Sequence, residues 1–220
     1  HRAVLLSHEG RHEEAIADLR QALAIKPDLV EAHRNLAILY ASTCAPAWQL
    51  DAAIAEAQTA VRLQPDDVEG RRLMADLYRQ AGRYEEALAE LAAAEALDAN
   101  DYRTHQLLAS VYDQAGQPDR AQAAGERSLA LLQQSVGGEG AAETAETHLS
   151  LGDAYLMVGR LDEAVAEYEA ARQSLPSDPR PLAGLGNAYY WQGRYADAER
   201  EYGSWIAVAP EDADAHLLLG

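Results

Sequence analysis

The sequence predicts an all-α protein built from repeated pairs of antiparallel helices, and three observations support this. The chain is rich in alanine and arginine but has one lysine, Lys26, and no phenylalanine. Alanine and arginine are among the strongest helix formers. One short segment recurs along the whole length, and glycines and prolines fall at the same places in successive copies. Such punctuation divides a chain into short helices joined by turns.

A small residue marks the same position in each copy of the recurring segment. These residues are Ala15, Ala53, Ala87, Ala121, Ala164 and Ala198. Their separations are 38, 34, 34, 43 and 34 residues. A fixed period of this length is the signature of a repeat architecture, in which each unit stacks on its neighbours.

Each repeat has its own internal order, beginning with a first helix that carries a large residue, a small residue and a tyrosine. Leu36, Ala37 and Tyr40 are one example. A glycine ends this helix, because a left-handed turn is easiest without a Cβ atom. The glycines are Gly10, Gly82, Gly116, Gly159 and Gly193.

A second helix follows, with small and apolar residues at helical spacing, as in Ala164, Tyr168 and Ala171. Proline then stops it, because proline lacks an amide N–H and clashes with the preceding turn. The prolines are Pro27, Pro65, Pro176 and Pro210.

The segment 151–176, "LGDAYLMVGRLDEAVAEYEAARQSLP", resembles the tetratricopeptide repeat signature nearly throughout. The resemblance extends over the chain as a single array, with units at about 1–29, 30–67, 68–101, 102–135, 145–178, 179–212 and a partial unit at 213–220. It implies a right-handed superhelical solenoid whose first helices line a concave groove and whose second helices form the outer wall.

Two insertions interrupt the period, one near 41–50 and one near 135–144. The second gives a spacing similar to that of kinesin-light-chain-like repeats. We expect either extended helices there or a bend between repeats one to four and repeats five and six.

The resemblance also implies which residues face the groove. In the first four repeats they include Arg34, Arg72, Arg79 and Arg103. In repeats five and six they include Leu149, Met157, Asn187, Tyr190 and Trp191.

Two hypotheses follow, each with an alternative. In the first hypothesis, carboxylates of a partner are bound by Arg34, Arg72 and Arg103, since guanidinium groups form bidentate hydrogen bonds with carboxylates. Alternatively, they balance nearby acidic residues such as Glu31. In the second hypothesis, an apolar pocket for a partner side chain or helix is formed by Leu149, Met157, Tyr190 and Trp191. Alternatively, Tyr190 and Trp191 only cover the helix end before Gly193.

Charge and composition exclude several functions. The net charge of −18 disfavours binding to nucleic acid or an anionic membrane. No apolar run reaches the roughly 20 residues that a transmembrane helix needs. The single cysteine, Cys44, fits the cytoplasm and leaves the periplasm open, so the compartment is unknown.

No enzyme, metal site or cofactor is predicted. His33, His105, His148 and His216 share one position in four repeats, but equivalent positions lie roughly 10 Å apart, too far for one ion. We interpret this position as half-buried packing. Acidic pairs such as Glu85 and Glu86 open second helices, where carboxylates favour the helix dipole.

The predicted function is a protein–protein interaction scaffold that binds a partner protein or peptide in its groove. One alternative is a docking or regulatory arm of a larger bacterial enzyme or of a secretion or exopolysaccharide-export protein. Another is self-association through the C-terminal edge at 213–220. The chain begins at His1 without an initiator methionine and ends inside an apparent helix, so we expect a piece of a longer protein. The Lys-poor, Arg-rich composition indicates a bacterial genome of high GC content.

Overall fold

A computed structural model describes residues 11–41, 47–136, 144–211 and 213–219. These residues form helices joined by short turns, and no strand occurs among them, which confirms the all-α prediction. The helices are α1 (His12–Ile25), α2 (Val30–Ala41), α3 (Ala47–Leu63), α4 (Val68–Gln80), α5 (Tyr84–Leu97), α6 (Tyr102–Gln114), α7 (Pro118–Val136), α8 (Ala145–Met157), α9 (Leu161–Ser174), α10 (Pro179–Trp191), α11 (Tyr195–Val208) and α12 (Ala213–Leu219). None of them combines the length and apolar character needed to cross a bilayer.

The helix boundaries follow the local signals in the sequence. Four glycines that close first helices have positive φ angles of 70° to 74°, namely Gly82, Gly116, Gly159 and Gly193. Second helices end shortly before proline, as α9 does before Pro176 and α11 before Pro210. Gly10, residues 42–46 and residues 137–143 lie outside the described part of the chain, so the expectations placed on them are not addressed.

The chain divides into two compact units, residues 1–117 and 118–220. In the first unit, α2 packs against α3 and α4 against α5, and each pair contacts the next. In the second unit, α8 packs against α9 and α10 against α11, with α7 and α12 on either side. First helices start at the residues where the predicted repeats start, including Val68, Ala145 and Pro179. One continuous array over 1–220 stays a prediction.

The helix α7 is longer than the other second helices of its kind. It has 19 residues, whereas α5, α9 and α11 have 14 each. Its last two residues, Ser135 and Val136, belong to the second insertion. The choice between extended helices and a bend at this insertion stays a prediction.

Small residues fill the positions where helices come closest. The second-helix column is almost fully buried, with Ala15, Ala53, Ala87 and Ala164 at 0% exposure. On the first helices, Ala37 and Ala75 are also at 0%. An alanine at such a position lets two helix backbones approach, and a larger residue would force them apart.

The second unit packs its helix pairs differently, with glycine on one side and tyrosine on the other. Gly152 of α8 and Gly184 of α10 both face the ring of Tyr168 in α9, which is 1% exposed. Gly186 of α10 faces the ring of Tyr202 in α11 in the same way. A Cβ atom added at Gly152 would lie 2.6 Å from Tyr168 Cε1, closer than atoms pack. Each tyrosine therefore occupies a notch that only glycine leaves open.

The substitution Gly152→Ala is expected to destabilise the chain. Overpacking costs about 1–3 kcal/mol, which exceeds the roughly 1 kcal/mol that alanine gains over glycine in a helix. Urea unfolding followed by circular dichroism measures the difference. Gly203→Ala is the matched control, because nothing lies near its added Cβ atom and the helix propensity gain stands alone. Equal stability of the two variants would contradict the notch.

Candidate functional site

The first helices of successive repeats lie next to each other within each unit. In the first unit, α2 contacts α4 and α4 contacts α6, and in the second unit α8 contacts α10. Side chains at equivalent positions of these helices therefore form columns on one surface. We call this surface the first-helix face of its unit.

Arg34 on the first-helix face of the first unit is surrounded by carboxylates of the chain itself. It donates hydrogen bonds to Glu31 at 2.7 Å, to Asp67 at 3.2 Å and to Glu69 at 3.4 Å. Partial burial disfavours its charge, but the hydrogen bond to Glu31 and the neighbouring carboxylates outweigh this and raise the pKa of Arg34. Its guanidinium links one repeat to the start of the next.

Arg72 repeats this link one repeat later. Its Nε atom lies 3.0 Å from Asp101 Oδ2, an ionic contact in which the Nε–H is not directed at the oxygen. Asp101 also caps α6 by accepting from the backbone N–H groups of Arg103 and Thr104. The carboxylate that neutralises Arg72 therefore also starts the next first helix.

The other two arginines predicted for this face also have partners within the chain. Arg79 donates two hydrogen bonds to Asp76, at 2.7 and 2.9 Å. Arg103 donates to the hydroxyl of Tyr102 at 3.1 Å, and this bond raises the pKa of Arg103. The Arg79–Asp76 pair fits the charge-balancing alternative, whereas the tyrosine hydroxyl that Arg103 contacts is neutral. Binding of partner carboxylates by these arginines stays a prediction.

The residues predicted for an apolar pocket in the second unit do not all share one environment. Leu149 is 6% exposed and lies in the core rather than at the surface. Met157 lies against Gly125 of α7, which leaves room for its side chain. Asn187, which was predicted to face the groove but not to line this pocket, accepts a hydrogen bond from the hydroxyl of Tyr202 at 2.8 Å.

Tyr190 and Trp191, in contrast, are exposed and form a cluster with a third ring that sequence reasoning missed. Tyr190 is 51% exposed, Trp191 70% and Tyr195 64%. The Tyr190 ring centroid lies 5.8 Å from that of Trp191 and 5.6 Å from that of Tyr195. Both contacts are edge-to-face, with interplanar angles of 84° and 65°. We call these three residues the aromatic cluster.

The aromatic cluster is positioned by the turn between α10 and α11. Tyr190 and Trp191 are the last residues of α10, and Tyr195 is the first residue of α11. The left-handed Gly193 reverses the chain between them. Arg194 packs over the neighbouring Tyr189 ring at 4.3 Å and pairs with Asp197, which holds the turn together. The sequence feature that could have predicted the role of Tyr195 is its position two residues after Gly193, close to Tyr190 and Trp191.

A polar side chain on the first helix lies next to each of the glycine notches that receive Tyr168 and Tyr202. The hydroxyl of Tyr168 donates to Asp153 at 2.7 Å, and Asp153 follows Gly152 as Asn187 follows Gly186. Asp153 is exposed, yet it lies in a hollow where protein atoms replace much of its water, and this burial raises the pKa of Asp153. Burial and the Asp153 charge together raise the pKa of the Tyr168 hydroxyl.

The histidine position of the repeats holds polar contacts between the turns and helices. His33 Nδ1 lies 2.5 Å from Glu56 Oε2, and its Nε2 lies 2.9 Å from the carbonyl oxygen of Pro27. Arg71 makes the same two contacts one repeat later, with Glu90 and Pro65. Among the described residues there is no group of His, Cys, Asp and Glu arranged to hold a metal ion.

Comparison with known proteins identifies the family. A model described as tetratricopeptide repeat matches residues 47–111 and 155–220, and a second of the same description matches 101–177. A third model, described as TPR repeat, matches 8–43. The chain belongs to the tetratricopeptide repeat (TPR) family. No curated protein sequence matches it.

Solved structures with the same fold support this assignment. A thermophilic TPR protein from Thermus thermophilus is 27% identical with a TM-score of 0.60, over 89% of this chain and 94% of that one. A TPR protein from Parabacteroides merdae gives a TM-score of 0.73 at 16% identity, over 99% and 80%. The APC/C heterotetramer Cut9-Hcn1 gives 0.70 at 18% identity, over 99% of this chain but only 41% of that one.

TPR membership establishes a helical-repeat solenoid and supports a general role as a protein-interaction scaffold. The fold is typically non-catalytic. Because many unrelated systems use it, the partner must be argued from the surfaces of this particular chain.

The pair Asp153 and Tyr168 gives a testable pH dependence. A carboxyl group whose folded pKa is raised contributes stability at low pH, and this contribution is lost as the pH rises from about 3.9, the unfolded value, through the raised folded pKa. Asp153→Asn keeps an acceptor for the tyrosine, as Asn187 does for Tyr202. We expect it to raise stability at neutral pH and to remove this part of the pH dependence in chemical denaturation.

Asp153→Ala serves as the contrasting variant, since it leaves the buried hydroxyl of Tyr168 without its acceptor. An unsatisfied buried hydroxyl costs about 1–3 kcal/mol, so this variant is expected to be less stable than the wild type at neutral pH. Equal stability of the asparagine and alanine variants would show that the hydrogen bond of Tyr168 does not contribute to the free energy of unfolding.

Proposed function

We propose that this TPR chain binds a partner protein through the first-helix face of its second unit, residues 118–220. The observation that carries the proposal is the aromatic cluster of Tyr190, Trp191 and Tyr195. These three residues are more than half exposed, whereas every other aromatic residue whose side chain the structure describes is buried or half-buried. Tyrosine and tryptophan are the side chains that most often dominate the energy of protein interfaces.

The first unit offers a weaker case for the main binding surface. Each of Arg34, Arg72 and Arg79 is paired with carboxylates of its own chain. A partner carboxylate would have to displace those contacts, in which the arginine side chains are only 19% to 23% exposed. Arg34 and Arg72 are better suited to linking adjacent repeats, and Arg79 to pairing within α4, than to capturing an acidic partner.

Affinity capture from an extract of the native host tests the proposal. The double variant Tyr190→Ala/Trp191→Ala is expected to lose the captured protein, because truncating a central aromatic typically costs about 2 kcal/mol or more, roughly 30-fold in affinity. The triple variant Arg34→Ala/Arg72→Ala/Arg103→Ala is expected to retain it. Mass spectrometry identifies the captured protein, and quantitative immunoblotting compares the variants.

Val208→Ala is the control for nonspecific loss of apolar surface, since Val208 is 41% exposed at the other end of α11. Capture that survives the aromatic substitutions would move the binding surface away from the cluster. Loss of capture only in the arginine variant would restore the carboxylate hypothesis. Thermal unfolding of every variant separates lost binding from lost folding.

A second candidate function is self-association through α12. Leu217 and Leu218 of this helix are 77% and 47% exposed, and adjacent exposed leucines favour contact with another helix. Sedimentation velocity of the wild type and of Leu217→Asp/Leu218→Asp tests it. A concentration-dependent larger species that disappears in the variant would support this role, and a monomer at all concentrations would end it.

A further inference from the structure

The repeats of one chain provide an internal comparison for the aromatic cluster. Its three residues stand four, five and nine residues after Gly186, the small residue of the first helix. The equivalent residues are Arg79, Gln80 and Tyr84 in repeat three, Asp113, Gln114 and Pro118 in repeat four, and Leu156, Met157 and Leu161 in repeat five. These repeats form the same helices, and of the nine equivalent residues only Tyr84 is aromatic. The fold therefore does not require aromatic rings at these positions.

More than half of each side chain in the cluster is accessible to a ligand, since Tyr190 is 51%, Trp191 70% and Tyr195 64% exposed. The contacts between the rings are edge-to-face, so the rings are not stacked in parallel. The face of an aromatic ring carries negative potential, and tryptophan attracts cations more strongly than the other rings. Trp191 is also the most exposed of the three. An exposed aromatic ring of this kind is suited to contact with one positive group.

The charges around the cluster favour a positive ligand. The second unit has 17 Asp and Glu residues against seven arginines, a net charge of −10. Five of the arginines are paired with carboxylates of the chain, namely Arg160, Arg172, Arg180, Arg194 and Arg200. The side chain of Gln192, the residue after Trp191, donates a hydrogen bond to Asp162 at 2.8 Å, so an acidic side chain contacts the turn that carries the cluster.

Local backbone polarity acts in the same direction. Tyr190 and Trp191 end α10, and the C-terminal end of a helix carries partial negative charge that favours a nearby cation. The nearest arginine in sequence, Arg194, does not occupy the cluster, because its guanidinium lies over Tyr189 and pairs with Asp197. Arg194 therefore does not cover the cluster, and the exposed surface of the three rings is available to a cation from a partner.

We propose that the aromatic cluster binds a basic segment of a partner protein, with an arginine or lysine side chain held against the rings of Trp191, Tyr190 and Tyr195. This rests on the proposed function and adds the chemistry of the partner. A purely apolar partner fits less well, because the flanking side chains of Gln192, Arg194 and Asp197 are polar or charged. An acidic partner is opposed by the net charge of the unit.

Fluorescence anisotropy with labelled synthetic peptides tests the inference on the whole chain. The probe is a short peptide of glycine and serine with a pair of arginines, and its matched peptides carry citrulline, leucine or glutamate in place of arginine. The arginine peptide is expected to bind the wild type in preference to the others. The triple variant Tyr190→Ala/Trp191→Ala/Tyr195→Ala is expected to weaken it roughly ten-fold, the size of a partly desolvated cation–π contact.

Two controls separate the cluster from the general acidity of the chain. Val208→Ala is expected to bind the arginine peptide as the wild type does. Raising the salt concentration weakens long-range attraction to the acidic surface but affects close ring contacts less. The difference between the wild type and the triple variant should therefore persist at high salt.

Several outcomes would overturn the inference. Equal binding of the arginine and citrulline peptides would show that charge has no part in recognition. Preference for the leucine or glutamate peptide would assign a different partner chemistry. Arginine-peptide binding that is unchanged in the triple variant would place the site elsewhere on the acidic surface.

The peptide result and the capture result can be told apart. If the cluster captures a protein from the extract but no basic peptide binds it, the proposed function stands and the inference on charge fails. If the triple variant captures the same proteins as the wild type, the proposed function fails as well.

Discussion

The close approach of the first and second helices within a repeat sets most of this structure. Ala53 and Ala87 on second helices, and Ala37 and Ala75 on first helices, are completely buried where the helices are nearest. A pair of helices that packs together at small residues cannot bury all of its apolar surface. The helix pair buries the remaining apolar surface against the next pair, so each repeat depends on its neighbours for stability. The side-by-side order of the first helices follows from this stacking.

The second unit keeps the same approach with a different division of volume. Glycines on the first helices admit the rings of Tyr168 and Tyr202 from the second helices. The rings supply the buried surface that alanine and leucine supply in the first unit, and their hydroxyls donate hydrogen bonds to Asp153 and Asn187. Each of these tyrosines therefore packs its ring between the helices and hydrogen-bonds, through its hydroxyl, to a polar side chain of a first helix. This gives the two units faces of different chemistry on the same helical frame.

The repeats of this chain carry different side chains at positions where helix packing does not require a particular residue. The turn after the first helix contains a glycine with positive φ, but the residues that precede this glycine vary from Arg79 and Gln80 to Tyr190 and Trp191. Arginines on the first unit are used internally, as Arg34 joins Glu31, Asp67 and Glu69. The rings of Tyr190, Trp191 and Tyr195 in the second unit contact one another and still remain more than half exposed. The contrast between the two units is the main reason for placing partner binding on the second.

The sequence by itself determined the helices, their boundaries and the repeat. Glycine with a left-handed conformation, proline after a helix and alanine at a fixed period act through local sterics, and each is readable in a single chain. The tertiary structure decided which side chains remain available. Arg34 meets Asp67 and Glu69 from the next repeat, Leu149 is buried, and Tyr195 joins Tyr190 across a turn. These outcomes depend on how neighbouring helices stack, because residues far apart in sequence fix the burial and charge environment of each side chain.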